Sequence, residues 1–172
     1  PWGTASVGGI VSTAFHEGAA EDGPLRGWLL GYTAAGHFVW TLGTAGGAVV
    51  SAEDSSALEL GRWHYVLGTY SASDGLAQLF VNGRLVDTTV GTPATLDYGR
   101  AGAATQDPAT LNALGASSAT MSAAALLNGA ALNPFVMMAY RDRHVDARLN
   151  GALDDVAIWA RSFSQQDVER KA

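Results

Sequence analysis

The sequence predicts an all-β chain, a two-sheet antiparallel β-sandwich closed by a short C-terminal helix. Three observations predict it. Eight or so short apolar segments recur at near-regular spacing, with glycine-bearing turns between them. Asn82-Gly83 joins Leu76–Val81 to Arg84–Val86, the strongest short hairpin signal in the chain. Near the C-terminus, Val156-Ala157-Ile158-Trp159 reads as a strand that hands over through Phe163 and Ser164 to a capped helix.

The elements follow in order. Gly9–Phe15 opens as a strand, and the acidic, glycine-bearing stretch from His16 to Pro24 has no apolar stripe to bury and reads as a loop. Gly27–Tyr32 and His37–Leu42 form an aromatic-rich hairpin around Ala34-Ala35-Gly36. Val49–Ser51 is a short fourth strand, and Glu53-Asp54 after it precede a serine-rich turn. Trp63–Tyr70 is apolar on both parities, which places it near the middle of a sheet, and Ser73-Asp74-Gly75 turns the chain back. A two-residue loop at Asn82-Gly83 pairs Val81 with Arg84, Phe80 with Leu85 and then Leu79 with Val86.

From Gly91 to Asn133 large apolar residues are scarce, and the stretch 91–133 reads as an Ala/Ser-rich insertion with a short helix at Ser122–Leu127. Pro134–Tyr140 resumes the sheet, and Arg141–Arg148 is a charged connection to the closing strand. Alternation makes that strand, Leu153–Trp159, buried on both faces and turns Asp154 inward with Val156 and Ile158. Ser164 then caps the Asp167 amide, Phe163 closes over Val168, and about two helical turns follow.

Composition narrows the function. At 172 residues the chain is expected to form one domain, 1–172, belonging to a longer protein, since it starts at Pro1-Trp2-Gly3 without a leader. A formal net charge of −6 and the lack of any basic cluster exclude nonspecific nucleic-acid or anionic-lipid attachment, which would need counterion release from a basic face. The absence of cysteine removes disulfides, thiolate metal sites and a cysteine nucleophile, and leaves the compartment open. Pro108–Tyr140 carries no charge, but Asn112, Asn128, Gly129, Asn133 and Pro134 interrupt it, so no membrane span is expected. There is no Asn-x-Ser/Thr sequon, hence no N-glycan acceptor in this segment.

Gly61-Arg62-Trp63-His64-Tyr65-Val66, Leu79–Val86 and Leu149–Trp159 with its Phe163–Val168 tail occur in that order. In these motifs the chain resembles laminin-G-like domains of the concanavalin A-like lectin/glucanase superfamily, over about Gly9–Val90 and Pro134–Arg170. The resemblance implies a jelly roll, a secreted or cell-surface setting, and a binding or assembly role. Such domains usually carry a further strand before the region where this chain starts, and its loss would expose a sheet edge, so the resemblance implies either a truncated chain or a neighbouring segment that pairs there. Functions on this fold span sugar binding, protein adhesion and glycan hydrolysis, so the sites must decide.

Hydrolysis needs two carboxylates facing one another across a cleft, and no strand presents such a pair. Asp154 and Asp155 are adjacent and face opposite sides, and Glu17 and Glu21 sit in a loop. No Gly-x-Ser-x-Gly elbow is present, and His16, His37, His64 and His144 are scattered too widely for zinc, His64 reading as a packed ring. No catalytic residue is therefore assigned, and the domain is expected not to be an enzyme. An inward Asp154 needs partners, either backbone amides or a calcium ion as the resemblance implies, with Glu17, Glu21 and Asp22 as further oxygen donors. Rim loops carry binding on rigid sheets, which nominates Glu17, Glu21 and Asp22 of the acidic loop and Arg141, Arg143 and His144 of the charged connection. Trp28, Tyr32, Trp40, Trp63 and Tyr70 are the rings able to stack on a sugar, most of them needed for the core.

The expected function is noncatalytic adhesion or assembly outside the cell, through a glycan, an extracellular protein or neighbouring domains of the same chain. The alternatives are a carbohydrate-binding module attached to an enzyme, a structural repeat of an extracellular filament and, least supported, a glycan hydrolase.

Overall fold

The computed structural model describes residues 7–16, 24–97, 136–141 and 146–170. Strands β1 (Val7–Ser12), β4 (Trp28–Thr33), β5 (His37–Gly43), β6 (Val49–Ala57) and β10 (Val136–Met137) form an antiparallel sheet in the order β10-β1-β4-β5-β6. A second sheet has the order β7-β8-β9, from Val66–Ser71, Leu76–Val81 and Arg84–Val90. Two small pairs accompany them: β2 (Phe15–His16) with β3 (Leu25–Arg26), and β11 (Ala139–Arg141) with β12 (Asp146–Arg148). Helix α1 (Gln165–Glu169) is the short C-terminal helix, and the two-sheet antiparallel β-sandwich expected from the sequence is the architecture observed.

The inner faces of the two sheets supply the main core, centred on Phe38, Trp40, Leu42, Ala77 and Leu79. Trp40 reaches across the interior. A Cβ on Gly68 of β7 would overlap the Trp40 indole, and the indole Nε1 donates to the Thr69 carbonyl at 3.2 Å. The ring therefore fits against β7 only where that strand lacks a side chain, and its polar atom is satisfied there.

The other faces are covered too. Leu29 and Val39, on the outer face of the larger sheet, pack with Ala14 and Leu25. Leu67 and Phe80, on the outer face of the smaller sheet, pack with Phe163 and Val168 of the helix segment. The Gln165 carboxamide locks that layer in place, accepting from the Leu85 amide at 3.1 Å and donating to the Gly83 carbonyl at 2.9 Å.

Asn82 and Gly83 take φ values of 52° and 80°, the two left-handed positions of the type I′ turn, with Val81 opposite Arg84 and Phe80 opposite Leu85. Beyond that the expected register fails. Leu79 lies opposite Asp87, so Val86 is the extra residue of a bulge. The bulge turns Asp87 and Thr89 toward the edge of β6, where Asp87 Oδ2 accepts from the Glu53 amide at 2.9 Å and Thr89 Oγ1 donates to the Ser51 carbonyl at 2.8 Å. The two sheets are thereby seamed along β6 and β9, and backbone groups of the β6 edge are occupied by side chains.

Further expectations are corrected. β6 runs to Ala57, so Glu53 and Asp54 lie inside a strand, where pairing with β5 outweighs the serine run. β7 begins at Val66 and stands at an end of the described sheet, not its middle. Its two apolar rows are buried because Trp40 covers one face and the helix layer the other. Val156–Trp159 is not part of a sheet: Asp155 takes a left-handed φ of 50°, and its amide is capped by the Asp154 carboxylate at 2.9 Å, which breaks the alternation. Asp154 is consequently exposed rather than inward. The helix has five residues, little more than one turn, but its cap is as expected, with Ser164 and Asp167 forming a capping box. Of the segment 91–133, Leu96 bridges to Thr44 and Asp97 pairs with Arg26, so its first residues belong to the larger sheet's rim; the remainder, including Ser122–Leu127, lies outside the described residues.

Gly68→Ala is expected to lower stability by about 1–3 kcal/mol in chemical denaturation, through overlap with the Trp40 ring. Gln165→Ala is expected to cost about 1–2 kcal/mol by the same measurement, leaving the Leu85 amide unpaired. Hydrogen bonds from the Ser164 hydroxyl and amide hold the Asp167 carboxyl below the usual carboxylate range. A lowered folded-state value means the stabilisation is present above the ordinary aspartate range and is lost as pH falls through the lower value. Asp167→Asn should therefore differ from the parent in melting temperature near neutral pH and converge with it in acid.

Candidate functional site

The crossing from β6 to β7 runs over the rim of the sandwich as the loop Leu58–Tyr65, and both its ends are tied. The Leu58 amide donates to the Gly36 carbonyl at 2.7 Å. At the other end Tyr65 exchanges bonds with the hairpin turn, its amide donating to Asn82 Oδ1 at 3.0 Å and its carbonyl accepting from the Asn82 amide at 2.7 Å. His64 braces the middle. Its ring meets Phe38 edge-on at 5.4 Å, and its Nε2 lies 2.9 Å from the Glu59 carbonyl, an acceptor only, so Nε2 carries the proton. His64 Nδ1 is buried without a hydrogen-bond partner, so the ring is packed as expected but only half satisfied.

This bracing presents Trp63 outward. Its side chain is 70% exposed, and Leu60 beside it 89%. Arg62 and Glu59 flank them as an exposed ion pair at 2.9 Å, a contact screened by water that adds little stability but keeps hydrogen-bonding groups at the rim. Gly61 takes a φ of 75°, which turns the chain between Leu60 and Arg62. The other candidate rings are absorbed by the fold: Trp40 is buried, Trp28 meets it at a tilt of 48° with ring centroids 5.5 Å apart, Tyr32 packs against the core, and the Tyr70 hydroxyl donates to the Ala94 carbonyl at 2.8 Å.

Of the residues nominated from sequence, Glu17, Glu21, Asp22, Arg143 and His144 lie outside the described residues. Arg141 ends β11 opposite Asp146. Asp154, the calcium candidate, is exposed and accepts from the neighbouring Asp155 amide, and among the described residues no group of three His, Cys, Asp or Glu side chains lies together. Glu59, Leu60 and Arg62 were not nominated. Gly61 is the available signal, because a glycine between Leu60 and Arg62 marks a turn immediately before Trp63.

The described carboxylates are largely engaged in local structure. Asp54 is buried and accepts from the Ser56 amide, Asp74 bonds Ser71 and Ser73, Asp87 holds the seam, Asp97 pairs with Arg26 and Asp167 caps the helix. Glu53 lies 3.2 Å from His37 Nδ1 on the surface. Among the described residues no helix is long and apolar enough to cross a membrane.

Comparison with known proteins gives three findings. No curated protein matches the chain. The chain is similar to the crystal structure of an S-layer domain-containing protein (residues 221–444) from Clostridium thermocellum, at 18% identity and a TM-score of 0.37, over 88% of this chain and 58% of that one. It thus spans little more than half of that structure. The family model for laminin-G-type domains of the concanavalin A-like lectin/glucanases superfamily matches residues 4–105, a span that holds strands β4–β9 and the rim loop. That span is more than half of the sequence and its sheets are those just described, so the chain belongs to the concanavalin A-like lectin/glucanases superfamily.

Proposed function

We propose that this domain is a noncatalytic extracellular adhesion or assembly module, and that its contact surface is the rim loop Leu58–Tyr65 with Trp63 at its centre. The observation that carries the reading is the exposure of Trp63 on a loop held at both ends and in the middle by hydrogen bonds. A solvent-facing indole loses the benefit of burial unless a partner covers it. A held loop has little conformational entropy left to lose on binding.

The surroundings favour a glycan over a protein partner. One indole flanked by Arg62 and Glu59 offers a sugar ring a flat apolar face with donors and acceptors beside it. A protein anchor would be expected to sit in a larger dehydrated patch. The noncatalytic reading draws support from the carboxylates, most of which accept backbone amides or pair with a neighbouring cation rather than facing an open groove. Family membership supports the extracellular setting, since such domains are commonly secreted or surface-attached.

A glycan array tests the reading. The parent domain is expected to retain at least one glycan, and Trp63→Ala to weaken that binding by about tenfold or more. Because the ring is exposed, stability should change by no more than about 0.5 kcal/mol. Binding unaltered by the substitution, or no retained glycan at all, would refute the site.

A further inference from the structure

We infer that His64 is a proton-operated clasp on the rim loop: neutral, its ring holds Leu58–Tyr65 closed, and on taking up a second ring proton it releases the loop. Among the described residues, His64 Nδ1 is the one buried side-chain nitrogen or oxygen without a hydrogen-bond partner. The other ring nitrogen, Nε2, donates to the Glu59 carbonyl at 2.9 Å. A neutral ring suits this arrangement, because Nδ1 then has only a lone pair left unmatched. An imidazolium does not, because both of its nitrogens donate and the new N–H is enclosed with no acceptor.

The charged groups of the surrounding elements are committed to other partners. Glu59 and Arg62 of the loop pair with each other, and His37 of β5 lies against Glu53 of β6. Asp54 of β6 accepts from the Ser56 amide, and Asp87 of β9 accepts from the Glu53 amide. None of these carboxylates reaches Nδ1, and on its open side the ring meets Phe38, itself buried. A charged donor enclosed without a partner costs free energy that it does not cost in water. The released loop, with both ring nitrogens in water, therefore binds the proton better than the closed one. Closure is favoured at neutral pH and weakens as pH falls below about 6.5, where a histidine in water takes up its proton.

The clasp acts on the residues that present Trp63. The Nε2 bond joins His64 to Glu59 across the turn at Gly61, with Leu60, Arg62 and Trp63 between the joined residues. Directly beside them stand the two anchors of the loop. Leu58 donates to the Gly36 carbonyl, and Tyr65 is bonded both ways to Asn82. Opening the clasp thus frees the indole from its frame, and, resting on the reading of Trp63 as the contact surface, the same proton loosens a bound partner in mildly acidic surroundings.

Residue-resolved amide exchange of the whole domain, with no ligand added, tests the clasp. Protection of the Leu58, Tyr65 and Asn82 amides, each taken relative to an unstructured chain at the same pH, is expected to fall about tenfold between about pH 7.5 and about pH 5.5 while the β8 amides keep theirs. His64→Gln retains a side-chain donor for the Glu59 carbonyl and cannot titrate, so protection of the three amides should hold constant. His37→Asn, which removes the histidine next to Gly36, should leave the fall in place. In the parent, the His64 ring resonances should move with the same midpoint as the loss of protection, a readout that stands even where the glutamine variant does not fold. Constant protection in the parent, two different midpoints, a fall that persists in His64→Gln or vanishes in His37→Asn, or a fall shared by the β8 amides would overturn the clasp. No glycan enters these measurements, so their failure is separate from failure of the Trp63 contact surface, which the glycan array decides.

Discussion

The packing of the Trp40 indole onto the bare backbone at Gly68 sets the relation between the two sheets. Any side chain at Gly68 would hold the ring away, and any smaller residue at position 40 would leave a void between layers that interiors do not tolerate. The bond from Nε1 to the Thr69 carbonyl fixes the ring's orientation as well as its depth. Around that contact Phe38, Leu42, Ala77 and Leu79 close the interior, and Trp28 packs against the Trp40 ring at a tilt from the neighbouring strand.

Two side-chain devices then protect what the sandwich leaves open. The bulge at Val86 reverses the facing of β9, so Asp87 and Thr89 reach the β6 backbone instead of solvent. The helix segment covers the outer face of the smaller sheet, with Phe163 and Val168 filling the surface over Leu67 and Phe80 and Gln165 bonded to the hairpin backbone. The rim loop inherits its rigidity from these parts. It is held by the β8–β9 turn at one end and by the β4–β5 turn at the other, so an exposed Trp63 is presented by a frame that does not need to rearrange.

What was legible in the sequence was local. Asn82-Gly83 dictates its own turn, Ser164 and Asp167 their own cap, and Gly36 the close of the β4–β5 hairpin, because each depends on residues a few positions apart. What was not legible depends on partners distant in sequence. The two apolar rows of β7 suggested a central strand, yet they reflect a tryptophan from one sheet and a helix from the far end of the chain. Val86 looks like an ordinary alternating residue, and only the β6 edge explains the bulge. Asp154 seemed to point inward because alternation was carried through Asp155, whose left-handed backbone interrupts it. Trp63 is one of five candidate rings in the sequence, and only packing between distant strands engages the other four, Trp40 buried and Trp28, Tyr32 and Tyr70 partly so.

The clamp across the interior is tested most directly by hydrogen exchange at the tryptophan indoles. If Trp40 joins the sheets, its Nε1 proton exchanges only when the whole domain unfolds, with the same free energy as the slowest β5 amides, while the Trp63 indole exchanges at the rate of free tryptophan. Exchange of the Trp40 indole well before global unfolding would contradict the account, since the sheets would then stay together without it.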